Sequence, residues 1–314
     1  MSDAAAPGVL DSGPPEAHAS ISRDLAATLV REQHPDFAHL ELGERFDGWD
    51  MAVFRLGSDL TVRLPRVAAA VGPLELEARL IATHGAGWAF PHPRIVRMGV
   101  PAHSYPWPWA IVAWVPGRTT DREPLPASAG HELGTAIAQI HRPETPDAPF
   151  NPEQSLTMAE RSADVEDALA TLARRNDAAG TRGLTLDLDV VEQIWGKAHS
   201  APPPAEKVWS HADLHGSNVL ERGGRLGGII DWGKAAACDR AVDLGFLYTV
   251  LEAEGIPDAV DAYVAATRCD DPGLVDRARG VALAKCLRWA TLGRELNTVM
   301  AWRGLTALGA ARVS

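Results

Sequence analysis

Two short stretches carry side chains whose types and spacing could do chemistry. The first reads Ser210-His211-Ala212-Asp213-Leu214-His215-Gly216-Ser217-Asn218, the second Ile229-Ile230-Asp231-Trp232-Gly233. Asp213 and Asn218 flank a glycine-containing loop, and Asp231 closes an apolar run, where a carboxylate would project from a strand tip. Two carboxylates and an amide oxygen suit a hard divalent cation. They also meet the needs of phosphoryl transfer from a nucleotide. One carboxylate orients the attacking hydroxyl and accepts its proton, while the other and the amide hold Mg²⁺ against the phosphates. Taken singly, Asp213 reads as a turn carboxylate and Asn218 as an Asx turn. The joint spacing is what points to catalysis.

The pattern H-x-D-L-x-x-x-N followed by D-x-G resembles the catalytic and metal loops of the protein-kinase-like fold. In this form it resembles the aminoglycoside phosphotransferase family, which also includes macrolide kinases and other small-molecule kinases. The resemblance covers most of the chain from Ser22 onward. It implies that Asp213 is the catalytic base and that Asn218 and Asp231 are Mg²⁺ ligands. His211 would brace the loop, and His215 either braces it or faces substrate. Of Asp239 and Asp243, one would cap the next helix and the other support the catalytic loop. Two departures separate this chain from protein kinases. Ala212 stands where their motif has arginine, and after Gly233 the chain reaches Asp239 with no room for a long activation segment. A small-molecule acceptor is expected.

The elements that must position these residues can be read from patterning. Residues 22–33 predict a helix capped by Ser22 and ended by Pro35. Residues 40–46, 52–56 and 60–64 alternate in polarity between turn residues and predict an antiparallel meander. A helix is expected over 73–83, and strands over 94–98 and 109–115, before Pro116-Gly117 breaks the chain. Helices are expected over 130–141, 157–175, 187–199, 239–254, 258–267 and from Leu274 onward. A small β island spans 208–209, 219–220 and 228–230. The fold class is therefore α+β, a two-lobed kinase-like fold with an N-terminal antiparallel sheet plus helix and a mainly helical C-terminal lobe. Residues 1–19 read as a disordered tail, 20–117 as the nucleotide-binding lobe, and 118–314 as the lobe holding the catalytic loop and the substrate-binding helices.

The small lobe should supply the nucleotide contacts. Residues 46–51, with the single Gly48, fit a phosphate-covering loop. Arg63 on the third strand stands where protein kinases carry lysine; it can pair with phosphate through a different fork geometry. Glu75 and Glu77 lie on opposite sides of a helix. Glu77 sits among Leu74, Leu80 and Ile81, and a carboxylate on an apolar stripe needs a partner. Glu77 is thus paired with Arg63. The edge of adenine is expected on the hinge backbone, from Ala113 to Val115, with Trp107, Trp109 and Trp114 serving core or hinge packing. The implied cofactors are ATP or GTP and Mg²⁺.

Composition bounds the rest. Among 314 residues, 46% are hydrophobic and 23% charged, enough apolar content for a sizeable core. A formal charge of −11 argues against a general nucleic-acid or anionic-membrane binder. Cys238, Cys269 and Cys286 form no CxxC pair and read as reduced thiols. No secretory signal is visible at the N-terminus, and the uncharged run 98–117 is interrupted by four prolines. A cytoplasmic monomer or weak dimer is expected. The acceptor pocket should lie between the catalytic loop and the last helices. Glu252, Glu254, Asp258, Asp261, Asp270, Asp271 and Asp276 either wall it for a polycationic aminoglycoside or simply face solvent. Trp289 and Leu292 could line an apolar pocket for a macrolide, or pack in the core. The readings carried forward are an aminoglycoside kinase, a kinase of a macrolide or another hydroxylated metabolite, and a nucleotide-binding pseudokinase.

Overall fold

A computed structural model describes residues 14–174 and 184–313. Helix α1 (Arg23–Gln33) begins at Ser22, whose hydroxyl accepts the Leu25 N–H at 3.1 Å, and it stops before Pro35. Strands β1 (Leu42–Asp47), β2 (Met51–Leu56) and β3 (Leu60–Pro65) form the expected meander. Helix α2 (Val71–His84) then crosses to β4 (Ile95–Gly99) and β5 (Trp109–Ala113). The five strands pair in the order β1-β2-β3-β5-β4, every ladder antiparallel. One face packs on α1 through Leu29, Val30, Phe54 and Trp109. The other packs on α2 through Met51, Leu74, Ala110 and Val112. Burying each such side chain stabilises by about 1.5–3 kcal/mol. Of the expected tail, residues 1–13 lie outside the described residues, while the His18 N–H donates to the Arg66 carbonyl at 2.8 Å.

Past Pro116 the chain enters the second lobe. Strand β6 (Arg118–Thr119) is followed by α3 (Gly130–Ile140), β7 (Arg142–Pro143), α4 (Ser162–Arg174), β8 (Leu184–Leu186) and α5 (Leu188–Ser200). Then come β9 (Val208–Ser210), β10 (Val219–Arg222), β11 (Arg225–Ile229) and β12 (Ala236–Cys238). Helices α6 (Ala241–Val250), α7 (Ile256–Thr267), α8 (Leu274–Thr291) and α9 (Glu295–Ala307) precede β13 (Ala311–Val313). The strands form small sheets, β11-β10-β6, β12-β9-β7 and β13-β8. All ten residues of α6 are buried, so this helix is the axis of the lobe.

The structure departs from the sequence expectations at a few places, each for a local reason. Residues 158–161 make turns rather than α-helix: the Arg161 N–H reaches the Met158 carbonyl at 3.2 Å and the Ser162 N–H the Ala159 carbonyl at 3.2 Å, bonds three residues apart. The last expected helix is two, separated by Gly293 at φ 67°, a conformation glycine adopts without strain. Strands β6, β7 and β12 span only two or three residues, too few for a periodicity to register.

Candidate active site

The β island and α6 shape the catalytic loop. Asp243, in the first turn of α6, is fully buried. Its carboxylate accepts the His211 N–H at 2.7 Å and the Ala212 N–H at 2.9 Å, and its Oδ2 also meets His141 Nε2 at 3.1 Å. These bonds hold Ala212 at φ 63°, a left-handed conformation costing about 1–3 kcal/mol for a non-glycine residue. Burial alone would push the Asp243 pKa up. The His141 ring, the nearby His211 and the Ala212 N–H outweigh it and hold the carboxyl below its ordinary value. Asp239 takes the other expected part: its Oδ1 accepts the Ala241 N–H at 2.9 Å at the start of α6. It also pairs with the buried Arg277 at 2.6 Å.

His211 braces the loop from within. One ring nitrogen meets the Ile230 carbonyl at 3.0 Å, and the other accepts the Asp213 N–H at 3.3 Å. Asp213 itself is buried at the cleft floor. Its Oδ2 lies 3.5 Å from His215 Nε2 and 3.6 Å from Lys234 Nζ. Burial would raise its pKa, but His215, Lys234 and Lys285 together hold the carboxyl well below the usual carboxylate range. The Asn218 amide nitrogen donates to the Asp213 carbonyl at 2.9 Å. This leaves the amide oxygen with no hydrogen bond among the described residues. Asp231, exposed at φ 64°, is the second left-handed non-glycine residue of the site. Gly233 follows because a Cβ there would lie 2.8 Å from Pro73 Cβ at the start of α2.

No group of three His, Cys, Asp or Glu side chains among the described residues is arranged to hold a metal ion. An amide oxygen and one carboxylate suit Mg²⁺, which completes its octahedron with phosphate and water oxygens. The donor set of Asn218 and Asp231 therefore fits the ion.

Across the cleft, Arg63 Nη1 and Glu77 Oε1 lie 2.5 Å apart, and the Glu77 side chain is 1% exposed while Glu75 points outward. Burial works against the charge of Arg63, but Glu77, Asp231 and Asp50 keep the guanidinium more basic than usual. Gly48 lies in a tight β1–β2 turn, closed by its own N–H on the Met51 carbonyl at 2.9 Å. At the tip of this turn, Trp49 lies against Arg294 of the α8–α9 connection, 4.2 Å from ring centroid to guanidinium carbon. On the hinge, the Ala113 N–H is committed to the Arg94 carbonyl at 2.8 Å and the Trp114 N–H to the Asp59 carbonyl at 2.8 Å. The Val115 N–H has no hydrogen bond among the described residues, although Val115 is buried. Trp109 is core, whereas Trp114 is 39% exposed and stacks on Phe46.

Of the acidic residues read as either walling an acceptor pocket or facing solvent, three have partners of their own. Asp271 pairs with Arg277 at 2.6 Å, the Glu252 carboxylate takes the Ala127 N–H at 2.8 Å, and Asp258 faces His131 of α3 at 3.8 Å. The charges that act on Asp213 are cationic instead. Lys234, Lys285 and Glu153 were not among the residues singled out from the sequence. Lys234 directly follows Gly233 and could have been found there. Lys285 and Glu153 had no local signal. A cavity of about 280 Å³ opens beside Lys234, lined also by Leu76, Phe150, Glu153 and Gly233.

An antiparallel sheet with one crossing helix, a hinge, and a helical lobe carrying an HxD loop and a DxG turn define a kinase-like phosphotransferase architecture. The chain belongs to the phosphotransferase enzyme family (APH), whose sequence profile matches residues 43–280. Two curated relatives are aminoglycoside 3'-phosphotransferases. The one from Escherichia coli is 26% identical over 150 residues, 46% of this chain and 52% of that protein. The one from Salmonella typhimurium is 25% identical over the same shares. The chain thus spans about half the length of the curated relatives it matches. Among solved structures, the GDP and kanamycin complex of APH(2")-IIia aligns with TM-score 0.60 and 17% identity, over 90% of this chain and 96% of that one. The apoenzyme of macrolide 2'-phosphotransferase MphH from Brachybacterium faecium aligns with TM-score 0.55 and 20% identity over the same shares. At these identities the likeness is one of fold. No helix among the described residues is long and apolar enough to cross a membrane.

Proposed function

We propose that this chain is a Mg²⁺-dependent kinase that transfers the γ-phosphoryl group of ATP or GTP to a hydroxyl of a small molecule, with an antibiotic as the acceptor class. One observation carries the reading: the ionised Asp213 at the cleft floor, with Asn218 fixed on it so that the amide oxygen stays free, opposite the Arg63–Glu77 pair. Asp213 receives the acceptor hydroxyl. As the oxygen–phosphorus bond forms, the hydroxyl proton passes to the carboxylate, and the bond to the nucleoside diphosphate breaks. A carboxylate held below its usual range is a weak base, so its main work is to orient the hydroxyl in a loose transition state. Asn218 and Asp231 would hold Mg²⁺, which would supply charge neutralisation at the nucleotide phosphates. Arg63, fixed by Glu77, meets the phosphates beneath the Gly48 turn. The unpaired Val115 N–H is suited to the edge of a purine, a better candidate than Ala113, whose N–H is taken. His211, His215 and Asp243 position the loop.

The aminoglycoside reading is supported by the printed activities of the curated relatives. A macrolide or another weakly charged hydroxylated acceptor is the second reading, and one specific observation favours it: the Lys234 ammonium lies 3.6 Å from the Asp213 carboxylate, and Lys285 also acts on it. The test is phosphate transfer from ATP and GTP, with and without Mg²⁺, to aminoglycosides and macrolides, with Asp213→Ala as control. Transfer that needs Asp213 supports the kinase reading. Transfer at the wild-type rate in Asp213→Ala sinks it, and nucleotide binding with no Asp213-dependent turnover on any acceptor would support a pseudokinase.

A further inference from the structure

Lys285 is a cation that the site has not used. It projects from α8 onto two aromatic rings, its Nζ 5.7 Å from the centroid of Phe246 on α6 and 5.8 Å from that of Trp289 one turn along α8. The Trp289 ring meets His215 edge-on at 6.0 Å, and His215 lies 3.5 Å from the Asp213 carboxylate. Among the described residues Lys285 makes no hydrogen bond or ion pair. The ring faces attract the ammonium but do not neutralise it. A half-buried lysine without a counter-ion is costly to keep, and burial lowers its pKa, opposed by Asp213 and Glu153. The charges of Lys234 and Arg161 oppose that of Lys285, and Asp213 and Glu153 favour it without forming an ion pair with it among the described residues.

We propose that Lys285 determines acceptor specificity: its unpaired charge beside Asp213 rejects polycations and admits hydroxylated acceptors that carry one positive charge or none. This rests on the reading of Asp213 as the group that receives the acceptor hydroxyl. An ammonium-rich acceptor whose hydroxyl reached Asp213 would bring several positive charges toward Lys285 and Lys234, and like charges brought together oppose binding. An acceptor with one positive charge or none brings no such repulsion.

The probes are kanamycin, a polycation, and erythromycin, a macrolide with a single amine. Each is titrated by calorimetry into the full chain loaded with Mg²⁺ and a non-hydrolysable nucleotide. Wild type is compared with Lys285→Met, Lys285→Glu and Lys285→Arg, all checked for unchanged melting. The expected result is a kanamycin affinity raised about tenfold in Lys285→Met and more in Lys285→Glu. Erythromycin should change less than about threefold, and Lys285→Arg should behave as wild type. A kanamycin affinity that does not rise, or that rises in step with erythromycin, overturns the proposal. Nucleotide binding and Asp213-dependent transfer, measured alongside, show separately whether the kinase reading stands.

Discussion

Arg63 and Lys285 are both cations at the edge of one cleft, and they are kept in opposite ways. Arg63 is locked to a buried carboxylate at 2.5 Å, whereas Lys285 rests on ring faces with no ion-pair partner among the described residues. On the proposed reading Arg63 meets phosphates that are the same in every turnover, and a fixed, pre-neutralised geometry would serve it. The acceptor side must discriminate, and an uncompensated charge discriminates better than a neutralised pair because it repels as well as attracts. On that reading the nucleotide side would be organised for position and the acceptor side for selection.

The deepest test of that division is the group both sides share. Asp213→Ala should lower kcat by about 10³-fold, within the range for a positioned acid–base group, while nucleotide affinity changes less than threefold. Steady-state kinetics and nucleotide titration check this together. A parallel loss of nucleotide binding would mean the two sides cannot be separated. Next in size is the loop's anchor. Asp243→Asn leaves one of two buried N–H groups facing an amide nitrogen and should destabilise the fold by about 3 kcal/mol, read by urea denaturation at pH 7. The pH dependence has a definite sign. The folded pKa of Asp243 lies below its unfolded value, so its stabilisation is complete above about pH 4 and is lost as pH falls below that. In Asp243→Asn that part of the acid loss should vanish.

Smaller is the effect of freeing Arg63. Glu77→Gln should lower kcat/KM for the nucleotide by about tenfold, a loss of roughly 1.4 kcal/mol, and leave acceptor KM unchanged. A change in acceptor KM alone would reverse the assignment of sides. Smallest is Glu75→Gln on the exposed face of α2, expected to stay within about 0.5 kcal/mol in stability and to leave turnover as in wild type.

The difference between the sides also explains what could be read in advance. The loop is contiguous in sequence, so the clustering of Asp213, Asn218 and His211, and the helix-capping and loop-bracing contacts of Asp239 and Asp243, were legible. The Arg63–Glu77 pair was legible because the apolar stripe of Leu74, Leu80 and Ile81 leaves only one inward glutamate. The five-stranded sheet followed from turn residues and alternation. The acceptor side arises from three distant segments, residues 149–153, α6 and α8, and nothing local marks Lys285 or Glu153 as neighbours of Asp213. Acidic residues were easy to count on α7, but α3 lies against that helix; a Cβ on Gly134 would lie 1.9 Å from the Ala259 carbonyl oxygen. Counting charges along a helix does not tell which way it turns.

The stack of Trp49 on Arg294 has a consequence for timing. It joins the tip of the β1–β2 turn to the α8–α9 connection, so any opening of the cleft on that side must part the two groups. An exposed cation–π contact is worth about 0.5–1 kcal/mol, which corresponds to a residence time lengthened only about two- to fivefold. On the proposed reading the contact would favour a closed cleft while chemistry proceeds without trapping spent nucleotide behind it.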